Sequence, residues 1–267
     1  MILASATPIS LCLATAAVVA YAVSAITGSK GDFRSSRMAG WVAWTMHGLL
    51  LVWSLAGELP RFGFAPALSV TAWLVATIYG IEGHVFPQFQ IKSPLPALGA
   101  LAVVLSVLFP GNALHPNASA WLPLHWALGI ASYSLFGAAV AHAGFMTRTE
   151  RKIRQASDAH AGMPLLTMER LTFRFVGAGF ILLTATLLAG IIFESQLYGG
   201  SMARKWDHKT AFSILAWITF AVLLLGRARF GWRGRRALRV LYLGSGFLLL
   251  AYVGSRFVME IILGRQV

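Results

Sequence analysis

Two histidines open apolar segments of this chain, His125 in "LPLHWALGIASYSLF" and His208 in "WDHKTAFSILAW". Neutral imidazole binds metals, and the partial positive charge at a helix N-terminus disfavours its protonation. Arg204, Lys205, Trp206 and Lys209 crowd around His208. Two imidazoles at one depth, with three cations and an indole beside them, suit a flat metal complex with two axial positions and anionic arms. Zinc suits them less: it wants three or four N, O or S ligands, and neither a supporting cysteine nor an H-x-x-H spacing is present. A second reading stands beside this one. In it the cations contact lipid phosphates and Trp206 sits in the interfacial aromatic belt.

The other five histidines carry less chemistry. His47, in "WTMHGLLL", falls mid-segment, where a neutral imidazole hydrogen-bonded to a neighbouring helix is the favoured reading over a functional site. His84 and His142 fall near segment ends, where interfacial placement suffices. His115 and His160 lie in connections and are read as solvated. On the segment that His125 opens, His125, Gly129, Ser132 and Phe136 share one helical face, with Tyr133 at its edge. Gly129 leaves room there for a flat ligand or another backbone.

The elements that must hold these residues are apolar spans. The chain has 267 residues, 57% hydrophobic and 12% charged, about half the charged fraction of a soluble domain. Eight spans are expected, at about 5–27, 39–57, 65–83, 94–111, 122–146, 172–195, 209–226 and 237–264. The expected fold is therefore an all-α polytopic membrane bundle, one transmembrane domain over 1–267. "MILASATPIS" has no basic residue ahead of its apolar run, so the first span is read as retained and not as a signal peptide. The lone Cys12 excludes an intramolecular disulfide and is read as apolar packing. No C-x-x-C-H is present to attach haem covalently.

The net charge of +13 would suit nucleic acid, but the cations lie between apolar runs, a pattern that signals topology and lipid head-group contact. With the N-terminus outside, the inner connections hold Lys30, Arg34, Arg37, Lys92, the basic stretch from Arg148 to Arg174, and the arginines of "GRARFGWRGRRALR". The outer side keeps only Arg61, Arg204, Lys205, Lys209 and Arg265. Both termini are thus expected outside, and the protein in a bacterial inner membrane. Three of those five outer cations surround His208, against the trend of the rule. Arg256 and Glu260, four apart, are read as a pair on the last span, and Glu194 as a partner for the cation cluster. The inner stretch "TRTERKIRQASDAHAGMPLLTMER" is read as a membrane-surface segment. No phosphate-cradling loop, activated nucleophile or paired carboxylate appears, so a binding or transfer protein is favoured over a self-contained enzyme.

The second half of the chain, 122–264, resembles the cytochrome c assembly family. Trp206, Asp207, Lys209, Thr210 and Trp217 match that family's W-D-P-K-E-T-W stretch, and Gly231, Trp232, Arg233 and Gly234 match its G-W-R-G. His125, Ser132 and Tyr133 are similar to its H-x6-S-Y helix. The likeness is nearest to the smaller eight-span subgroup of the YpjD and HemX type. It implies handling of non-covalent haem b at the outer face, linked to cytochrome c biogenesis, with haem, the bilayer and other maturation or membrane proteins as partners.

The chain also departs from the family. The tryptophan-rich loop is shortened, and His208 stands where proline is usual. Synthase-type members carry a histidine near the end of the seventh span, where this chain has Gly226, and another after the last span, where it ends "LGRQV". The resulting expectation is a bis-histidine site, His125 with His208, flanked by Trp206, Arg204, Lys205 and Lys209. The alternative is a haem-free accessory or scaffold subunit of a membrane transporter.

Overall fold

The computed structural model describes residues 7–56, 61–85, 94–113, 121–154, 165–193 and 208–254, which fall into two compact units. The first holds α1 (Pro8–Lys30), α2 (Phe33–Ala56), α3 (Phe64–Val85) and α4 (Leu95–Leu108). A two-residue antiparallel pair, β1 (Arg61–Phe62) on β2 (Asn112–Ala113), closes one end, with Arg61 opposite Ala113. The second unit holds α5 (Trp121–Arg154), α6 (Leu165–Ile192), α7 (His208–Phe230) and α8 (Gly234–Leu249), the last running into a π turn at Leu250–Gly254.

Local chemistry sets the helix ends. Thr7 caps α1 by accepting the Ser10 N–H at 3.2 Å, with Pro8 in the first turn. Gly31, at φ 88°, ends the helix in the left-handed conformation. Asp32 then accepts the Ser35 N–H at 3.0 Å, and these hydrogen bonds hold its carboxyl below the ordinary aspartate range. Ser24 and Ser36 donate to each other's carbonyls at 2.9 and 2.8 Å, tying α1 to α2 across the turn.

Among the described residues, seven helices are long and apolar enough to cross a membrane. The fourth expected span is α4, 14 residues long, about 21 Å of helix against a hydrocarbon core of about 30 Å. Large apolar side chains face outward throughout, among them Ile181, Ile192, Leu225 and Phe230. In water such a surface would drive association, and in lipid it is the solvated face. The protein is a polytopic helical membrane protein.

Each unit has its own core. In the first, Ala14, Ala17 and Tyr21 of α1 meet Ala43 and Leu50 of α2 and Val103 of α4. Small residues here let backbones approach, as membrane helix pairs require. In the second, Phe136, Ala139 and Ala143 of α5 pack with Val176 and Leu183 of α6, Phe220 and Leu223 of α7, and Leu241 and Leu248 of α8.

Three expectations are corrected. Cys12 is exposed and does not pack. "LLTMER" is the first turn and a half of α6, not part of a surface segment, because its apolar and polar residues continue the helical period of α6. His142 is buried, not interfacial, since α5 runs on to Arg154 and carries that position well inside the helix. The expected pair of Arg256 with Glu260, together with Glu194, His115 and His160, lies outside the described residues.

Candidate haem-handling end of the second unit

The face that carries His125 on α5 packs on α6. Ser132 Oγ donates to the Gly179 carbonyl at 3.0 Å, and Phe136 is buried. A Cβ at Gly129 would touch Thr186 Cγ2 at 3.6 Å, so the close neighbour at that glycine is helix α6. Two aromatic pairs join these helices, one at this end and one nearer the middle of the unit. Trp121 stacks on Phe193 at 4.3 Å, and Trp217 of α7 lies on Phe180 at 5.4 Å while donating to Thr184 Oγ1 at 2.9 Å.

Within this frame His125 is half-buried. Its Nδ1 is shielded from solvent and has no hydrogen-bond partner among the described residues. An orphaned buried polar atom is costly, and such atoms recur where a ligand or function uses them. A Cβ at Gly190 would stand 3.4 Å from the ring's Cε1, at ordinary contact distance, so α6 passes close to this edge of the imidazole. Among the described residues, the Thr186 backbone and the Lys209 ammonium are close enough to act on the ring.

Lys209 brings the start of α7 to this end. Its Nζ lies 5.8 Å from the centre of the Tyr252 ring, and the Tyr252 ring lies 6.1 Å from that of Tyr133. His208 is the first residue of α7, adjacent to Lys209, and is exposed. The Lys209 charge thus acts on His125, and His208 stands beside Lys209 at the same helix start. Arg204, Lys205 and Trp206 lie outside the described residues. Sequence reasoning missed Tyr252, because "LLLAYVGS" reads as plain apolar span, and its proximity to Lys209 follows from helix packing alone.

The remaining histidines fall elsewhere. His47 is fully buried in the first unit with both ring nitrogens engaged: Tyr21 Oη lies 3.1 Å from Nδ1 and Ser69 Oγ 2.8 Å from Nε2. It is the satisfied core imidazole that its sequence context favours. His142 packs edge-on against Phe175 at 5.4 Å, and His84 is exposed at the end of α3.

The opposite end of the second unit carries the G-W-R-G turn. Gly231 and Gly234 take φ 61° and 57°, conformations open to glycine at little cost, and reverse the chain from α7 into α8. Trp232 folds back over Gly226, and Arg233 reaches Glu169 of α6 at 3.1 Å. Arg227 pairs with the same carboxylate and lies 3.9 Å over the Phe173 ring. These residues brace three helices.

Fold and site together define a multi-span helical membrane protein with an imidazole-bearing end beside a helix-start cation. The chain belongs to the family described as Cytochrome C assembly protein, whose sequence profile matches residues 35–263. It is 32% identical over 174 residues to the inner membrane protein YpjD of Escherichia coli K12, covering 63% of this chain and 65% of that relative's length. It is 25% identical over 248 residues to the cytochrome c biogenesis protein CcsA of Prochlorococcus marinus MIT 9312, covering 78% and 76%. An uncharacterized 28.8 kDa protein of Azospirillum brasilense is 28% identical over 270 residues, covering 91% of this chain. No solved structure matches.

Proposed function

We propose that this multi-pass protein of the bacterial inner membrane handles haem in cytochrome c biogenesis, holding haem b non-covalently at the outer end of its second unit. Membership of the cytochrome c assembly family supports the role, and the inner-membrane relative and the apolar helices support the location. The carrying observation is His125 Nδ1, buried and unpartnered among the described residues, beside Gly190 and Lys209. An imidazole nitrogen without a hydrogen-bond partner is the donor type that serves as an axial ligand.

In this reading His125 and His208 are the ligand pair, and Lys209, with Arg204, Lys205 and Trp206, receives the anionic edge and one face of the macrocycle. Bound haem would supply a redox-active iron. The protein itself contributes binding, orientation and presentation to a partner. The positive-inside distribution of arginines supports a periplasmic placement of this end and of both termini.

The test is the absorption spectrum of detergent-purified protein after addition of hemin. Wild type should show a low-spin Soret band, His208→Ala a shift to a high-spin, five-coordinate spectrum, and His125→Ala loss of stable binding. Colourless wild type after hemin addition would instead favour a haem-free accessory subunit.

A further inference from the structure

We propose that Tyr252 and Lys209 together recognise a carboxylate of the bound tetrapyrrole, a role that rests on the haem reading above. The first observation is backbone geometry. Helix α8 stays α-helical through Leu249 and then opens into a π turn over Leu250–Gly254. Such turns are less favourable than continued α-helix and tend to occur at functional sites. Here the turn contains Tyr252.

The second observation is what surrounds that ring. Tyr252 is half-buried, 6.1 Å from the Tyr133 ring, and the Lys209 ammonium lies over it at 5.8 Å. A lysine at a helix start near a membrane surface ordinarily extends its charge toward water. Lys209 is instead held over an aromatic face, where the ring quadrupole attracts the cation. Its charge also reaches His125.

Those positions combine into one recognition set. A metal-ligating nitrogen comes from α5, an ammonium from α7 and a phenol from the π turn. A carboxylate accepts hydrogen bonds only, and a lysine N–H and a tyrosine O–H are both donors. A ligand with a coordinating metal in a flat ring and carboxylates on one edge satisfies all three groups at once. A fatty acid would satisfy two of them and leave the imidazole idle.

The experiment uses porphyrins without iron, so that axial ligation does not contribute. Metal-free protoporphyrin IX, its dimethyl ester and oleate are titrated into the purified full-length protein, with tryptophan fluorescence quenching as the readout for the porphyrins and displacement as the readout for oleate. Wild type should bind the diacid at least about tenfold more tightly than the diester, the size expected of a charge-assisted contact. Tyr252→Phe keeps the ring against Tyr133, so the fold is retained. It and Lys209→Gln should each cut that preference several-fold while leaving diester affinity unchanged, and Lys209→Arg should keep most of it.

Equal binding of diacid and diester by wild type overturns the proposal. An unchanged preference in Tyr252→Phe overturns the part played by the phenol and leaves it as packing. Displacement of the diacid by equimolar oleate overturns the tetrapyrrole assignment. If wild type takes up hemin with a low-spin spectrum yet shows no diacid preference, haem handling stands and this inference falls. If no porphyrin binds, both fall.

Discussion

Trp232 lies across Gly226, so closely that a Cβ built on the glycine runs into the indole ring. The Trp232 N–H also donates to the Gly226 carbonyl at 3.1 Å. Gly226 is the position where resemblance to synthase-type relatives leads one to look for a second imidazole, and the space such a side chain would need is filled by tryptophan. Arg236 also lies over the indole, its guanidinium 4.1 Å from the ring centre. Gly226→Ala should therefore destabilise the protein by about 1–3 kcal/mol through overpacking. Trp232→Leu in the Gly226→Ala background should recover part of the loss. Thermal unfolding in detergent measures both, and strict additivity of the two changes would show that the residues do not couple.

Glu169 takes two arginines of unequal standing. The Arg227 side chain is 25% exposed and Arg233 62% exposed, against 12% for the carboxylate. An exposed pair contributes at most about 1 kcal/mol and is screened by salt, whereas a shielded partner left alone costs more. Glu169→Gln should lower stability by about 1–3 kcal/mol and Arg233→Gln by less than about 1. In 1 M salt the Arg233→Gln loss should vanish while most of the Glu169→Gln loss remains. Equal losses at both sites, or equal salt sensitivity, would contradict this division.

His47 is predicted to matter for folding and not for haem. Replacing it by leucine strands the Tyr21 and Ser69 hydroxyls, both buried, and each loses a hydrogen bond. The expected cost is about 1–3 kcal/mol, since polar pairs between membrane helices contribute modestly each. Removing the stranded hydroxyls as well, in Tyr21→Phe/His47→Leu/Ser69→Ala, should restore much of the stability. The hemin spectrum should be that of wild type in both variants, and its loss in His47→Leu alone would make this histidine a ligand.

How much of this was legible in the sequence depends on the range of the interaction. The face of α5 was readable because His125, Gly129, Ser132 and Phe136 repeat at helical spacing, and all four lie toward α6. His47 was readable as a core imidazole, but its partners were not, since Tyr21 and Ser69 lie 26 and 22 residues away on other helices. The buried state of His142 was obscured by the length of α5, whose basic C-terminal turns look like a connection in one dimension. Tyr252 was hidden for a different reason. A π turn carries no residue signature, so nothing in "LLLAYVGS" marks the ring that meets Lys209.

The centre of the second unit supplies the last prediction. Phe136 of α5 and Phe220 of α7 stack with ring centres 3.8 Å apart and planes 11° from parallel. A glycine stands on each side of the pair: a Cβ at Gly179 would lie 3.2 Å from Phe136, and one at Gly244 would lie 2.8 Å from Phe220. In lipid there is little transfer free energy for burying these rings, so what they contribute is packing, which only close backbones provide. Gly244→Ala should then cost more than Gly179→Ala, because its contact is the tighter and Phe220 is fully buried with nowhere to move. Phe220→Leu should relieve much of the Gly244→Ala penalty while costing stability on its own through the cavity it leaves. Unfolding of the three single variants and the Phe220→Leu/Gly244→Ala double in one detergent gives the coupling directly. A Gly244→Ala variant as stable as wild type would mean that α7 and α8 are not packed as closely as described.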